Sequence, residues 1–465
     1  MSEKKHFHFT GVCGTAMGAV AVAMKRKGFT VTGSDTNVYP PMCDFLRAEG
    51  VEIAEGYRAE NLPEGADVIV IGNAISRGND EAEAALSRRL LYQSLPEVMK
   101  EHFLRGKRNY VVSGTHGKTT TSSMLTWLFL SAGREPGWMI GGLPKNLGRG
   151  AQFSDSEFNV LEGDEYDTAF FDKRSKFLHY LPEVAVVNNI EFDHADIYAN
   201  LDEIKLTFRR LLNVVPRTGA AIINGDDANC LDVASKAPCP VQTVGLGEGC
   251  TLRITEVVYD ADRSSFKLGG VGYSVRMTGE FNVRNAAMAA AAATFAGLSA
   301  EEIRAGLESF DGVARRQELR GEAGGVKVVD DFAHHPTAIK LAVASLRQRY
   351  PGSKLWVLFE PRSNTTRRAV FQHELAEALA LADEAIVAEI PDLHKIPEGD
   401  RLDPDRLARD IAAQGGHGDY VRGGVEAIVE KVVAGAKAGD VLAVLSNGGF
   451  GGIHGKLLDG LQRKG

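Results

Sequence analysis

The sequence predicts an α/β protein of three domains, each built around a parallel sheet. The length of 465 residues is about three times that of an ordinary domain. Short β-branched runs alternate with helical stretches along the chain, and this alternation forms three successive blocks. A hydrophobic fraction of 44% beside 25% charged residues supplies the apolar side chains for several cores, so a disordered chain is excluded.

The first predicted domain covers residues 1–107. Its opening strand at 7–10 leads into a glycine-punctuated turn and a helix, and a second strand follows at 29–32. Residues 68–71 are the clearest further strand, and 82–91 have helical character. Alternating strands and helices predict a parallel sheet that binds ligands at the carboxyl ends of its strands.

The second predicted domain covers residues 108–312. Residues 252–277 have hairpin character, because residues 260–262 and 269–270 are typical of turns. The alanine-rich run 286–298 carries no charge but is too short to cross a bilayer, so we expect a buried helix and no membrane span. The strands of this domain are predicted at 110–112, 159–161, 184–187 and 220–223.

The third predicted domain covers residues 313–465. It repeats the alternation of the first two blocks, so a further parallel sheet is expected. Its strands are predicted at 326–329, 355–359, 385–388 and 441–445.

Charge and cysteine content exclude several classes of protein. The 53 basic and 61 acidic residues give a net charge of −8, which argues against a surface that neutralises nucleic acid. Five cysteines without a C-x-x-C pair indicate neither a disulfide framework nor a zinc ribbon. We therefore expect free thiols and a cytoplasmic location.

The strongest local signal is the run GTHGKTT at 114–120, between a predicted strand and the helical run 121–130. Backbone N–H groups and a helix N-terminus hold phosphates in this context, with a lysine on the outer phosphates and a hydroxyl on Mg²⁺. The first glycine precedes the second by three residues, whereas the usual P-loop spacing is five. A glycine-rich turn with an incidental lysine is the alternative. The candidate residues are Gly114, Thr115, His116, Gly117, Lys118, Thr119 and Thr120.

Acidic and imidazole side chains follow two predicted strands of the same domain. The carboxyl ends of neighbouring parallel strands meet at one edge of a sheet, so these groups could reach a metal held by the phosphates. Solvated loop carboxylates are the alternative. The residues are Glu162, Asp164 and Glu165 after one strand, and Glu191, Asp193 and His194 after the other.

The amino-terminal turn carries Gly11, Gly14 and Gly18, whose spacing matches a dinucleotide fingerprint only loosely. Asp35 follows the second strand, 21 residues after Gly14, where an acidic group can bind a ribose hydroxyl. The pair predicts a second nucleotide site, for NAD or for another nucleoside diphosphate. A purely structural turn is the alternative.

The third block offers a further nucleotide contact and a set of cations. Asp331 follows a strand and could bind a ribose. The adjacent His334 and His335 point in different directions in extended chain, so we do not expect both to act on one atom. Guanidinium groups at a strand end can clamp carboxylates, although exposed surface arginines are an equal alternative. These candidates are Arg362, Arg367 and Arg368, with the glycine-rich run 446–452 as a possible anion nest.

Together these motifs resemble the Mur ligase family, the ATP-dependent amide-forming enzymes of peptidoglycan metabolism. The resemblance covers nearly the whole chain and implies a Rossmann-like UDP-binding domain, a central P-loop ATPase-like domain and a C-terminal Rossmann-like domain. It is carried by residues 114–120, 162–167, 189–194, 281–286, 314–316 and 330–336.

Within the family, the sequence is similar to the UDP-N-acetylmuramate ligases. It departs from the L-alanine-adding member at Cys13, Ala195 and Ala333, and residues 359–365 and 446–452 are similar to the branch that adds a tripeptide. This implies a ligase that joins L-alanyl-γ-D-glutamyl-meso-diaminopimelate to UDP-N-acetylmuramate in peptidoglycan recycling, as a monomer or weak dimer. An L-alanine ligase, a nicotinamide dehydrogenase and a non-catalytic nucleotide sensor are the alternatives.

The resemblance also implies roles for individual residues, with ATP and Mg²⁺ as cofactors. Whether Lys205 is carbamylated stays open. Catalysis is assigned to Lys118, His194, Arg316 and His335. The glycine-rich run, Asn285, Arg316 and Asp331 bind ATP, and Thr119, Glu162 and His194 bind Mg²⁺. The UDP-linked substrate is assigned to Gly11, Gly14, Thr15, Ser34, Asp35 and Asn73, and the acceptor to Arg362, Arg367 and Lys395.

Overall fold

The computed structural model describes residues 4–391 and 393–464 and forms two compact units. The first unit comprises Met1–Glu191, Leu201–Arg253 and Ala287–Gly306, and the second comprises Phe192–Asn200, Ile254–Ala286 and Leu307–Gly465. Both units combine helices with mainly parallel sheets, which confirms the predicted fold class. The predicted boundaries at 107/108 and 312/313 stay predictions.

The strands follow the predicted alternation, with additional short strands at the sheet edges. They are β1 (His6–Thr10), β2 (Thr30–Asp35), β3 (Glu52–Glu55), β4 (Val68–Ile71), β5 (Tyr92–Ser94), β6 (Arg108–Ser113), β7 (Gly137–Met139), β8 (Ala151–Gln152), β9 (Phe158–Gly163), β10 (Asp167–Ala169), β11 (Asp172–Ser175), β12 (Pro182–Val187), β13 (Ala220–Asn224), β14 (Val241–Gly245), β15 (Leu252–Tyr259), β16 (Ser264–Leu268), β17 (Val271–Val275), β18 (Glu318–Ala323), β19 (Val326–Asp331), β20 (Leu355–Phe359), β21 (Glu384–Val387), β22 (Gly418–Tyr420) and β23 (Val441–Leu445).

The α-helices connect these strands. They are α1 (Thr15–Arg26), α2 (Met42–Ala48), α3 (Asp80–Ser87), α4 (Leu95–Met99), α5 (Lys118–Ser131), α6 (Leu201–Asn213), α7 (Ala228–Ala234), α8 (Glu280–Phe295), α9 (Ala300–Glu308), α10 (Pro336–Arg349), α11 (Gln372–Leu379), α12 (Pro404–Ala413), α13 (Gly424–Gly435) and α14 (Ile453–Lys464).

The first sheet of the first unit has five parallel strands in the order β3-β2-β1-β4-β5. Its strand β4, between β1 and β5, reads Val-Ile-Val-Ile and is buried on both faces, as a parallel strand covered by helices requires. Thr10 pairs with Ser34 and with Ile71, so β1, β2 and β4 end level with one another. The loops that follow these strands therefore share one edge of the sheet.

The second sheet of the first unit places β6 between β9 and β12. The strands run in the order β14-β13-β12-β6-β9-β7 and are parallel, and β8 adds an antiparallel edge. Ser113 at the end of β6 pairs with Gly163 and with Val187. The segments after β6, β9 and β12 therefore leave the sheet side by side.

The second unit contains a six-stranded sheet in the order β18-β19-β23-β20-β21-β22. Only β18 is antiparallel to its neighbour in this sheet. Leu445 pairs with Asp331 and with Phe359, so β19, β23 and β20 end level with one another. Apolar clusters cover both faces of the sheet, and the predicted hairpin character is confirmed by the antiparallel strands β15, β16 and β17.

Several predicted elements differ from the structure at their ends. Glu162 was expected to follow a strand but lies inside β9, and Asp331 is the last residue of β19. Residues 286–293 of the alanine-rich run are buried in α8, which begins earlier, at Glu280, and ends at Phe295. The helices formed by the described residues are all too short or too polar to traverse a bilayer. All five cysteines are free thiols, as expected.

Candidate active site

The glycine-rich loop between β6 and α5 has the backbone of a phosphate-binding turn. Gly114 and Gly117 have φ angles of +129° and +79°, in the left-handed region that favours glycine. A Cβ on Gly114 would lie 3.0 Å from the backbone of Asn189, so this position also has no room for a side chain. His116 N–H donates to Asn189 Oδ1 at 2.7 Å, and Thr115 N–H donates to the Asn189 carbonyl at 3.0 Å. The segment after β12 thus fixes the loop before any ligand arrives.

Lys118 begins α5 and forms an ion pair with Glu165. Its Nζ lies 2.7 and 3.0 Å from the two carboxylate oxygens, and the side chains are only 13% and 2% exposed. Burial alone would lower the pKa of Lys118, but the charges of Glu165 and Asp164 outweigh it and raise the pKa. The ammonium therefore stays charged and is able to exchange a carboxylate for a phosphate.

Thr119 and Glu162 meet beside this pair. The Thr119 hydroxyl donates to Glu162 Oε1 at 2.9 Å, and Gly141 N–H donates to Glu162 Oε2 at 2.7 Å. Both side chains offer hard oxygen ligands of the kind that Mg²⁺ prefers, so they fit the predicted metal. Thr120, the last residue of the loop motif, is buried in α5.

Two further polar contacts of the first unit involve His116 of the predicted phosphate loop and Lys205, the residue whose carbamylation is undecided. His116 Nε2 lies 3.1 Å from Glu191 Oε2, which joins the loop to the segment after β12. Lys205 on α6 is mostly buried and pairs with Asp232 on α7. An anionic carbamate at Lys205 would face that carboxylate, so the unmodified ammonium suits this environment.

The amino-terminal turn is held by the end of β2. Gly11 N–H donates to the Ser34 carbonyl at 2.9 Å, and Cys13 N–H donates to Asp35 Oδ2 at 2.9 Å. Gly14 and Thr15 are exposed at the start of α1, where helix N–H groups attract anions. The five predicted residues at this turn therefore lie together, and Asp35 shapes the turn itself.

A cavity of about 480 Å³ opens beside Asp35. Tyr57 Oη lines it and donates to Asp35 Oδ1 at 3.4 Å; burial, together with that carboxylate, raises the pKa of Tyr57 to about 12, which keeps the phenol a donor. Arg77 at the cavity pairs bidentately with Glu83. The cavity is lined by Thr36, Asn37, Tyr57 and residues 74–79. The predicted Asn73 is exposed and immediately precedes the last of these segments.

The sequence motifs do not indicate the cavity residues Tyr57, Arg77 and Asn79. Their position along the chain could have indicated two of them. Residues 72–79 follow the end of β4, which lies next to β1 in the sheet, and ligands bind at such strand ends. Tyr57 lies after the short strand β3, which the hydrophobic pattern does not mark.

In the second unit, His194 lies in a strained turn with φ +54°. Its N–H donates to Asp193 Oδ1 at 2.7 Å, and the same oxygen accepts from the Thr365 hydroxyl at 2.8 Å. Burial alone would raise the pKa of Asp193, but the neighbouring His194 charge helps to hold it well below its usual range. Asp193 thus fixes the backbone of His194, whose metal role stays a prediction.

His335 is the N-cap of α10. Its Nδ1 accepts from Thr337 N–H at 3.2 Å, and its Nε2 lies 3.1 Å from the Phe192 carbonyl. Because a carbonyl only accepts, this pattern requires a neutral imidazole with its hydrogen on Nε2. The structure thus gives His335 a capping role, and the predicted catalytic role stays a prediction.

Asp331 accepts two backbone hydrogen bonds, from Ala333 N–H at 2.7 Å and from Gln317 N–H at 2.8 Å. Burial raises its pKa, and the charge of Arg316 offsets part of that rise. The Arg316 guanidinium lies over the Phe332 ring at 4.9 Å. Asn285, the predicted adenine contact, is buried on α8 in this unit. The nucleotide roles of these residues stay predictions.

Arg362 and the glycine-rich loop after β23 are joined by hydrogen bonds and ion pairs. Glu360 lies 3.5 Å from the half-exposed Arg362 guanidinium and accepts from the Ser446 hydroxyl. Arg315 donates to the carbonyls of Ser446 and Gly448 at 2.8 and 2.6 Å. A Cβ on Gly448 would lie 2.3 Å from Arg362 Cδ, so the arginine packs directly on the loop.

The remaining predicted acceptor residues lie farther along this segment. Arg367 donates to Asn364 Oδ1 at 2.6 Å and to the Pro391 carbonyl at 3.5 Å. Arg368 lies 3.5 Å from Asp400. The side chain of Lys395 lies outside the described part of the structure. The acceptor roles of Arg367 and Lys395 stay predictions.

Comparison with known proteins agrees with the predicted family at each of the three domains. The model described as Mur ligase family, catalytic domain, matches residues 6–107. The Mur ligase middle domain matches residues 112–293, and the Mur ligase glutamate ligase domain matches residues 315–448.

The chain is also similar to individual proteins over nearly its full length. It is 41% identical over 463 residues, 98% of each chain, to the UDP-N-acetylmuramate–L-alanyl-γ-D-glutamyl-meso-2,6-diaminoheptandioate ligase of Escherichia coli. It is 32% identical over 468 residues, again 98% of each chain, to the UDP-N-acetylmuramate–L-alanine ligase of Dechloromonas aromatica. The crystal structure of a murein peptide ligase from Psychrobacter arcticus is 35% identical, with a TM-score of 0.72 over 98% of this chain and 99% of that one. The chain therefore belongs to the Mur ligase family.

Proposed function

We propose that this protein is an ATP-dependent ligase that joins L-alanyl-γ-D-glutamyl-meso-diaminopimelate to UDP-N-acetylmuramate in peptidoglycan recycling. The observation that carries this proposal is the 41% identity over 98% of each chain with the Escherichia coli ligase named for those two substrates. The relative named for L-alanine is 32% identical over the same share.

The reaction activates a carboxylate with ATP. The carboxylate oxygen of the muramoyl group attacks the γ-phosphorus, ADP leaves, and an acyl phosphate forms. The amine of the tripeptide then attacks the acyl carbon, and inorganic phosphate leaves with the oxygen that linked it. The net products are the amide, ADP and phosphate. Water must be excluded because it would hydrolyse the acyl phosphate.

The glycine-rich loop supports the phosphoryl transfer. Its N–H groups and the N-terminus of α5 attract the phosphates of ATP, and the charged Lys118 binds the outer phosphates after leaving Glu165. Thr119 and Glu162 would hold Mg²⁺, which when bound neutralises part of the phosphate charge. Arg316 contributes a second positive charge to the phosphates in this proposal.

The UDP-linked substrate binds at the amino-terminal turn in this proposal. The cavity next to Asp35 is of the size that small-molecule sites have, and its polar lining includes Tyr57 and Arg77. The exposed start of α1 supplies N–H groups for a diphosphate. The two nucleotides are thus assigned to separate sheets.

The acceptor is recognised by cationic side chains in the second unit. The tripeptide carries three carboxylates and two amines, whereas L-alanine carries one of each, so the larger acceptor makes more ionic contacts. Arg362 is half exposed beside Glu360, an arrangement that presents a positive and a negative group together. This pair suits an acceptor that carries both charges.

The test compares kcat/KM for the tripeptide and for L-alanine on the unmodified protein, with phosphate release as the readout. We expect a strong preference for the tripeptide. Arg362→Lys keeps the charge but loses the guanidinium fork, so it should raise KM for the tripeptide more than KM for ATP. A preference for L-alanine would show instead an alanine-adding ligase, and ATP binding without phosphate release in the presence of acceptors would show a nucleotide sensor.

A further inference from the structure

A buried carboxylate lies at the centre of the sheet edge that carries the amino-terminal turn. Glu81, in the first turn of α3, has no exposed surface. Its Oε2 accepts from the hydroxyls of Thr10 at 2.8 Å and Ser34 at 2.5 Å, and its Oε1 accepts from Asn61 Nδ2 at 2.7 Å. His8 Nε2 lies 3.5 Å from Oε2. The donors come from three different segments, so this carboxylate joins parts of the chain that are distant in sequence.

Two of these segments lead directly into walls of the cavity. Ser34 is followed by Asp35 and then by the lining residues Thr36 and Asn37. Asn61 uses the same amide group to donate to the Gly56 carbonyl at 2.8 Å, immediately before the lining residue Tyr57. Glu81 therefore fixes the end of β2 and the segment after β3 at one point.

The third wall is attached through the helix that carries Glu81. Asn79 lines the cavity and caps α3, since its side chain accepts from the N–H groups of Glu81 and Ala82 at 3.1 Å each. The lining segment 74–79 therefore ends at Asn79, whose side chain fixes the start of the helix that carries Glu81. All three walls of the cavity are therefore attached to this one residue, two through its carboxylate and the third through its backbone N–H.

The charge of Glu81 suits this role. Burial alone would raise its pKa, but the contact with His8 and the hydrogen bonds from Ser34, Asn61 and Thr10 outweigh burial and lower the pKa. An ionised carboxylate accepts hydrogen bonds and donates none, so all of these donors can be satisfied together. A glutamine amide would instead place a donor opposite another donor.

We propose that Glu81 is a positioning residue for the UDP-linked substrate: it holds the three walls of the cavity at the spacing that the nucleoside diphosphate requires and does not touch the substrate. The inference rests on the proposed function, because it takes the cavity to be the site of that substrate.

The test uses Glu81→Gln in the full-length protein. Calorimetric titrations give the dissociation constants for UDP-N-acetylmuramate and for ATP, and steady-state assays separate KM from kcat. We expect the dissociation constant and KM for UDP-N-acetylmuramate to rise by at least about tenfold, because a charged hydrogen-bond acceptor is lost. The ATP dissociation constant and the kcat at saturating substrate should stay within about twofold of the wild type.

The matched control is Asp440→Asn in the second unit. Asp440 is also a buried carboxylate, 7% exposed, and accepts from Trp356 Nε1 and Lys437 N–H at 3.0 Å each. This variant should lower the melting temperature and leave the affinity for UDP-N-acetylmuramate unchanged. Thr10→Val removes one donor and keeps the shape of the side chain, so it serves if Glu81→Gln does not fold, with the same expected direction.

The outcomes separate the two proposals. If the unmodified protein does not bind UDP-N-acetylmuramate, the proposed function is wrong. If the unmodified protein binds it and Glu81→Gln, or Thr10→Val in its place, binds it equally well, only the positioning role is wrong. Equal losses of affinity for UDP-N-acetylmuramate and ATP would show a general folding defect and would also overturn the positioning role.

Discussion

The ion pair between Lys118 and Glu165 makes a prediction that separates stability from catalysis. Both groups are nearly buried and lie 2.7 Å apart, so Lys118→Met removes the positive charge that faces the buried Glu165 carboxylate. Removing one partner of such a pair typically costs about 3–5 kcal/mol. Since about 1 kcal/mol corresponds to about 2–4 °C in a unit of this size, we expect the melting temperature of the unliganded protein to fall by about 10 °C.

Glu165→Gln and the double variant complete a double-mutant cycle. In the double variant neither charge remains, so we expect stability to return most of the way to that of the wild type. The coupling energy should be at least about 2 kcal/mol, within the range found for directly contacting residues. Thermal and denaturant unfolding of all four proteins measures it. Additive effects of the two single substitutions would contradict the ion pair as a stabilising contact.

Catalysis should not return with stability in the double variant. A fixed positive charge at the transferring phosphoryl group is worth several kcal/mol, so Lys118→Met and the double variant should both lose at least about a thousandfold in kcat. Phosphate release with ATP, UDP-N-acetylmuramate and the tripeptide is the assay. Turnover within tenfold of the wild type in Lys118→Met would refute the phosphate-binding role.

Three further substitutions test the metal site, the amino-terminal turn and pH dependence. Glu162→Ala should raise the Mg²⁺ concentration for half-maximal activity by at least about tenfold and leave UDP-N-acetylmuramate binding unchanged; an unaltered Mg²⁺ titration would count against the site. Asp35→Ala removes the acceptor of the Cys13 N–H, so it should weaken the binding of UDP-N-acetylmuramate and leave the binding of ATP unchanged. The opposite pattern would reverse the assignment of the two nucleotides to the two sheets. Hydrogen bonds from Arg174 lower the pKa of Asp172 to about 2, so this carboxylate adds stability above its unfolded pKa that is lost as the pH falls through about 2. Asp172→Asn should therefore be less stable than the wild type at pH 7 and differ little near pH 2, and a constant difference would contradict this account.

The sequence pattern located the central strands because these are buried on both faces. Strands such as β4, β20 and β23 are continuous apolar runs, and their predicted bounds agree with the structure. The edge strands carry no such signal. The two-residue strand β8 and the charged strand β11 pair only because a neighbouring segment lies alongside them.

The glycine-rich loop could be predicted from sequence because its signal is local. A strand, two glycines, a lysine and a helix stand within a few residues of one another. The partners of its side chains are not local: Lys118 reaches Glu165, 47 positions along the chain, and Glu81 accepts from Thr10 across 71 positions. Such pairs depend on the strand order and register, which spacing in the sequence does not specify.

His335 has a structural role that its local motif does not indicate. The family resemblance implies a catalytic role for this residue, which stays a prediction, and the structure places it at the N-cap of a helix that begins with Pro336. Its ring nitrogens bind a backbone N–H and a backbone carbonyl. A test of catalysis at this residue must therefore separate loss of the cap from loss of chemistry.

Charged groups of the candidate sites are paired within the protein. This pairing limits how much free energy each new contact with a ligand adds to binding. Lys118 binds Glu165, Arg362 lies beside Glu360, and Arg367 binds Asn364. A phosphate or carboxylate that reaches one of these cations replaces an existing partner, so each contact adds only the difference between two similar interactions. Discrimination between acceptors then depends on how many exchanges occur together. L-Alanine has one carboxylate and can make one exchange, whereas the tripeptide has three, so the preference for the tripeptide should fall stepwise as its carboxylates are converted to amides one at a time.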